Sequence, residues 1–155
     1  MKIFEEWLNE SSGLTLTQKE VETAFKSLMK KVFHKNEVEL GGTLYKITLR
    51  LKQQYENSYF VEVYLKPKGK KNATGGTLFD GTIMLIDDDV KKPTDKAHIA
   101  LKFSYTNKKD IYDESTFHKQ IVDAFESLCK SKYFKLEDKK INTYYQSIYL
   151  LAKEI

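Results

Sequence analysis

Residues 43–66 limit the possible folds more than any other stretch of this chain. They hold two runs of strict alternation, Tyr45-Lys46-Ile47-Thr48-Leu49-Arg50-Leu51-Lys52 and Tyr59-Phe60-Val61-Glu62-Val63-Tyr64-Leu65-Lys66, joined by Gln-Gln-Tyr-Glu-Asn-Ser. Side chains of a strand point alternately to its two faces, so a period of two predicts half-buried strands, and the short join predicts an antiparallel hairpin. One face carries Tyr45, Ile47, Leu49, Leu51, Val61, Val63 and Leu65 and must be covered. The other carries Lys46, Thr48, Arg50, Lys52, Phe60, Glu62, Tyr64 and Lys66 and can meet water.

The flanking stretches extend this hairpin into an α+β fold. Ile3, Phe4, Trp7 and Leu8 are spaced for a short amphipathic helix. Thr17 and Glu20 form a capping-box pattern, and Val21, Ala24, Phe25, Leu28, Met29, Val32 and Phe33 follow as a helical stripe, predicting a helix over 18–33. Residues 38–40 read as a short strand and Gly41-Gly42 as a tight turn, so a three-strand meander begins there. Ile83, Met84, Leu85 and Ile86 are apolar at consecutive positions, which predicts a strand over 77–87 covered locally on both faces. Residues 98–105 alternate again. A further helix opens at 110–115 and buries Phe117, Ile121, Ala124, Phe125, Leu128 and Cys129.

From Leu136 onward, Ile141, Tyr144, Tyr145, Ile148, Leu151, Ala152 and Ile155 fit a helical period, and a last helix is predicted. The abundance of Tyr and Ile makes strand the alternative for 140–155. The expected architecture is a single domain over 1–155. Its antiparallel meander sheet has four to five strands, flanked by two N-terminal and one or two C-terminal helices.

Composition narrows the function classes. No apolar run reaches the roughly 18 residues that a membrane helix needs, and the N-terminus lacks a long apolar signal region. The one cysteine, Cys129, cannot form an internal disulfide, which favours a reducing, cytoplasmic setting. The formal charge is +4, and every basic residue is lysine except Arg50. Base-specific readout leans on the bidentate geometry of arginine, so this balance argues against sequence-specific DNA recognition.

Catalytic and ligand motifs fail on spacing. Asp87, Asp88 and Asp89, with Asp80 nearby, are the obvious carboxylate cluster, yet the calcium-loop pattern is absent and adjacent residues of an extended chain point apart. A solvated acidic turn is the expected reading. A metal-dependent enzyme at Asp80 and the Asp87 turn stays as the third alternative, tested by calorimetry with magnesium, manganese or calcium. The lone Glu-x-Lys, Glu137-Asp138-Lys139, falls between two helical patterns rather than on a strand, so a nuclease core is rejected. His34, His98 and His118 lack ligand spacing, and Cys129 reads as a buried thiol. No catalytic residue, cofactor or metal is expected.

The solvent face of the hairpin is the informative surface. Lys46, Arg50, Lys52 and Lys66 share it with Phe60 and Tyr64, and a loop carrying Lys68, Lys70 and Lys71 could extend it. Aromatics amid positive charge can stack bases and follow phosphates. They can equally dock on an acidic, partly apolar protein surface, which the scarcity of arginine and the interspersed acids favour. The remaining alternative is that the C-terminal helices cover Phe60 and Tyr64 and leave an ordinary lysine rim.

In general character, being short, single-domain, rich in Lys and Tyr and motif-free, the chain resembles small accessory proteins of phages and mobile elements such as the anti-CRISPR proteins. The resemblance implies a stoichiometric, non-enzymatic inhibitor that binds a host protein such as a Cas nuclease. A positive surface would suit a nuclease's acidic, metal-holding region. Lys46, Arg50, Lys52, Phe60, Tyr64, Lys66, Lys68, Lys70, Lys71, Asp87, Asp88 and Asp89 are the expected contacts to a protein partner. A non-specific nucleic-acid binder using the same face is the second expectation.

Overall fold

The computed structural model describes residues 14–69, 75–87 and 96–155. The predicted helix at residues 3–8 lies outside them, as do Lys70, Lys71, Asp88 and Asp89. The first described helix, α1 (Gln18–Val32), starts where the capping pattern places it: the Thr17 hydroxyl accepts from the Glu20 N–H at 3.3 Å. Lys30 and Lys31 in the last turn complement the helix dipole. The stripe buries Val21, Phe25, Leu28 and Val32.

Five strands follow in a meander: β1 (Glu37–Leu40), β2 (Thr43–Tyr55), β3 (Ser58–Pro67), β4 (Thr77–Ile86) and β5 (His98–Tyr105). Gly41 and Gly42 both have positive φ, +56° and +81°, the geometry of a two-residue hairpin turn whose twist matches its strands. Between β2 and β3 the six-residue join shrinks to a turn at Glu56 and Asn57, because β2 runs on to Tyr55 through a bulge after Gln53. Helix α2 (Glu114–Lys130) is capped by the Asp113 carboxylate, which accepts from the Thr116 N–H at 2.9 Å.

The last part of the chain departs from expectation. Residues predicted as a C-terminal helix form a hairpin of β6 (Phe134–Asn142) and β7 (Ser147–Glu154). Ile148, Leu150 and Ala152 are buried at a period of two, while Tyr144 and Tyr145 sit in the turn at 84% and 74% exposure. The helical period was thus a coincidence of turn residues with side chains from both faces of the hairpin. β7 inserts between β5 and β6, so all seven strands form one antiparallel sheet in the order β1-β2-β3-β4-β5-β7-β6. The sheet is larger than the four to five strands expected.

Both described helices pack on one face of that sheet. Phe25 stacks on Phe103 with centroids 5.3 Å apart, Phe33 on Phe79 at 6.1 Å, and Phe117 against Phe79 at 4.5 Å. Tyr112 meets Phe33, Phe79 and Phe117 edge-on, closing an aromatic cluster under the two helices. The hairpin face predicted to need cover, with Ile47, Val61, Val63 and Leu65, lies in this core. The two described helices therefore sit on the same side of the sheet. Among the described residues β4 is covered by helices on one face, and Met84 and Ile86 stand half-buried on the other.

Candidate binding face of the sheet

The register shows which side chains share the face opposite the helices. Directly opposed residues of neighbouring strands lie on the same side, so the pairings can be followed across the sheet. One row runs Lys52, Phe60, Thr82, Lys102, Tyr149, Lys140 over six strands. The next row towards the end of β2 runs Ser58, Met84, Ala100, Leu151, Asp138 and is apolar at its three central positions. On the other side of the first row come Arg50, Glu62, Asp80, Ser104, Ser147 and Asn142. Beyond them Thr48 faces Tyr64, and Lys46 faces Lys66.

Aromatics and cations alternate in contact here. The Arg50 guanidinium lies 6.0 Å from the Phe60 ring centre, and the Lys102 and Lys140 ammoniums lie 5.8 and 5.9 Å from the Tyr149 ring centre. Such pairs contribute on the order of 0.5–1 kcal/mol each at exposed sites and hold the cations over the ring faces. Phe60, Tyr64 and Tyr149 are half-buried, whereas Arg50, Lys46, Lys52, Lys66, Lys102 and Lys140 are exposed. No described helix covers Phe60 or Tyr64, because the C-terminal helices that would have done so are strands of the sheet itself.

Of the acidic groups on the face, Glu62 is partnered from within. Glu62 receives Arg50 Nε at 3.4 Å and the Thr77 hydroxyl at 2.7 Å. Burial, with the Glu62 charge beside it, raises Asp80 above the ordinary carboxylate range. A raised carboxyl costs stability when ionised. That cost is absent below the ordinary value of 3.8 and grows as pH rises through the higher folded value. Asp80→Asn is therefore expected to stabilise the protein by about 0.2–1 kcal/mol at pH 7, as relief of a like-charge cross-strand pair. Urea unfolding of both proteins at pH 7 and at pH 3.5 checks this, and the advantage should vanish at the lower pH.

The expected contact residues separate into three groups. Lys46, Arg50, Lys52, Phe60, Tyr64 and Lys66 come together on the open face. Lys68 lies just past β3 and forms an ion pair with Glu37 of β1, at the edge of the sheet. Asp87 follows β4 at the opposite end of the strands from Lys68, so the two residues are separated by roughly 30 Å, the length of a strand of about nine residues. Lys102, Tyr149, Lys140 and the apolar row escaped the sequence reading. Lys102 was legible from the alternation of β5. Tyr149 and Lys140 were hidden by the helical reading of the last segment.

Chemistry elsewhere is quiet. Burial pushes the Cys129 thiol up to about 12, which keeps it protonated and unreactive. Glu137, Asp138 and Lys139 lie on β6 rather than between helices, at a bulge that makes Glu137 the extra residue. Among the described residues no three His, Cys, Asp or Glu side chains gather as a metal site. A groove of about 560 Å³ between α1 and α2 is lined by small side chains such as Ala24, Ser27, Ala124 and Ser127; Glu20 in its wall is held by Lys132 at 2.7 Å. Among the described residues no helix is long and apolar enough to cross a membrane. Comparison of the chain with protein-family models, with curated proteins and with solved structures finds no match.

Proposed function

We propose that this protein is a non-enzymatic binding module whose open sheet face docks on an acidic, partly apolar surface of a protein partner. The observation that carries this is the pairing, on a face that no described helix covers, of the apolar positions Met84, Ala100 and Leu151 and the aromatics Phe60 and Tyr149 with exposed lysines. An apolar centre ringed by charge is the anatomy of a protein interface, where the centre supplies affinity and the rim guides encounter. A stoichiometric inhibitor of a host protein, in the manner of an anti-CRISPR protein on a Cas nuclease, fits such a face. The acidic, metal-holding region of a nuclease is a surface of matching charge.

Charge reversal tests this reading. Arg50 should be left intact, so that its ion pair with Glu62 is kept and the test changes only lysines of the face. Lys46→Glu, Lys52→Glu and Lys102→Glu together alter exposed side chains of the face. Capture from native host cells on tagged wild-type protein, with nuclease treatment, should yield a partner that the triple variant fails to retain. The affinity of the purified pair should fall by about a hundredfold, with unchanged circular dichroism. Equal binding by both proteins would refute the assignment.

The cation–aromatic row favours a second reading, a non-specific single-stranded nucleic-acid binder. Phe60 and Tyr149 lie three strand spacings apart, about 14 Å, so they would take bases that are not adjacent. This reading predicts affinity for oligonucleotides that falls steeply with salt. Recovery of nucleic acid alone, lost on digestion, would favour it over the first.

A further inference from the structure

β2 is 13 residues long, yet β1 pairs with only its first four, residues 43–46, and the Ile47 N–H donating to the Asn36 carbonyl at 2.8 Å is the last link. Over residues 48–55 the outer edge of β2 has no strand neighbour among the described residues. In an antiparallel ladder both backbone groups of a residue point to the same side, and the side alternates along the strand. Ile47 points outward. The Leu44 carbonyl, which accepts from the Lys68 N–H at 2.9 Å, points inward with the even-numbered residues. Leu49 and Leu51 therefore present N–H and C=O to the open edge. Their side chains lie half-buried on the helix side, and exposed Arg50 and Lys52 lie on the open face.

The sheet's other edge is built differently. β6 carries Lys135, Glu137, Asp138, Lys139 and Lys140 and is bulged between Leu136 and Asp138, devices that block strand addition. The free length of β2 ends in a bulge after Gln53 but is regular through Leu49 and Leu51.

We propose that this edge takes an extended segment of the partner protein by strand addition, and that the segment alternates apolar with acidic residues. The inference rests on the protein-binding reading above and deepens it. Backbone groups of Leu49 and Leu51 supply the ladder, apolar side chains of the segment lie beside those two leucines, and its carboxylates stand beside Arg50 and Lys52. Charge selects this occupant over a second copy of the chain. The two antiparallel registers open to a copy set Arg50 against Arg50 or against Lys52, and like charges directly opposite destabilise a sheet.

The probe is a capped heptapeptide, Glu-Val-Glu-Val-Glu-Val-Glu, with a version carrying Lys in place of Glu as control. With the glutamate peptide the amides of Leu49 and Leu51 should exchange about tenfold more slowly by NMR, and with the lysine peptide they should not change. Leu51→Pro removes an N–H that faces away from β3, a position where edge strands accept proline, and should weaken peptide binding about tenfold. Lys52→Glu should shift preference towards the lysine peptide, and it decides the matter if Leu51→Pro does not fold. Unchanged exchange at Leu49 and Leu51, or equal binding of both peptides, overturns the proposal. So does protection that follows protein concentration without peptide, which would make a second copy the occupant. A partner lost by the Lys46, Lys52, Lys102 variant but kept by Leu51→Pro would remove the edge and leave the open-face reading standing.

Discussion

Phe79→Ala is expected to destabilise the protein by about 3–5 kcal/mol, the cost of emptying a fully buried aromatic site. Phe79 has no exposed surface and touches rings from several elements: Phe33 after α1, Phe103 on β5, Tyr112 before α2 and Phe117 on α2. Phe79 joins the end of α1 and the start of α2 to the sheet, beside the Phe25–Phe103 stack, so the cavity opens between elements that are held in place by other contacts. A domain of this size should lose roughly 10–20 °C in Tm, measured by circular dichroism. Phe79→Leu keeps much of the volume and should lose less than half as much. Near-equal Tm values for wild type and Phe79→Ala would show that the cluster does not hold the layers together.

Gly81→Ala is expected to cost about 3 kcal/mol, although alanine adds a single methyl group. Gly81 lies mid-strand on β4, opposite Phe103 of β5. A Cβ built there would collide with the Lys102 carbonyl and sit 2.6 Å from Phe103 Cδ1. The Lys102 carbonyl is backbone and cannot swing aside, so the two strands must part. Lys102 and Phe103 carry the cation–aromatic row on one face and the aromatic core on the other. The substitution should therefore lower Tm and weaken partner binding together. A variant with wild-type stability would mean that β4 and β5 separate at little cost.

Much of the fold was legible because local signals and tertiary structure agree. The Thr17 cap, the stripe from Val21 to Val32 and the alternation through residues 45–66 each imply the same element that the core requires. The last segment was illegible for a physical reason. Leu150 and Leu151 are consecutive apolar residues that face opposite sides of the sheet, Leu150 into the core and Leu151 into the apolar row, so simple alternation fails. What makes β7 a strand is the pairing offered by β5, about fifty residues earlier, which local spacing cannot report. The same blindness hid half of the candidate face. Its near side was readable from the hairpin, but its far side exists only once β7 and β6 dock, and no described helix covers it because there are strands where C-terminal helices were expected.

The insertion of β7 between β5 and β6 also bears on how this protein fails. β6 and β7 form a hairpin that joins the rest of the sheet along β5 alone. When that hairpin lifts, β5 becomes a bare edge carrying Ile99, Leu101 and Phe103, with Lys102 as its one lysine and without the bulge that interrupts β6. Damage to the hairpin would therefore expose a strand edge open to pairing with other chains, a route to aggregation.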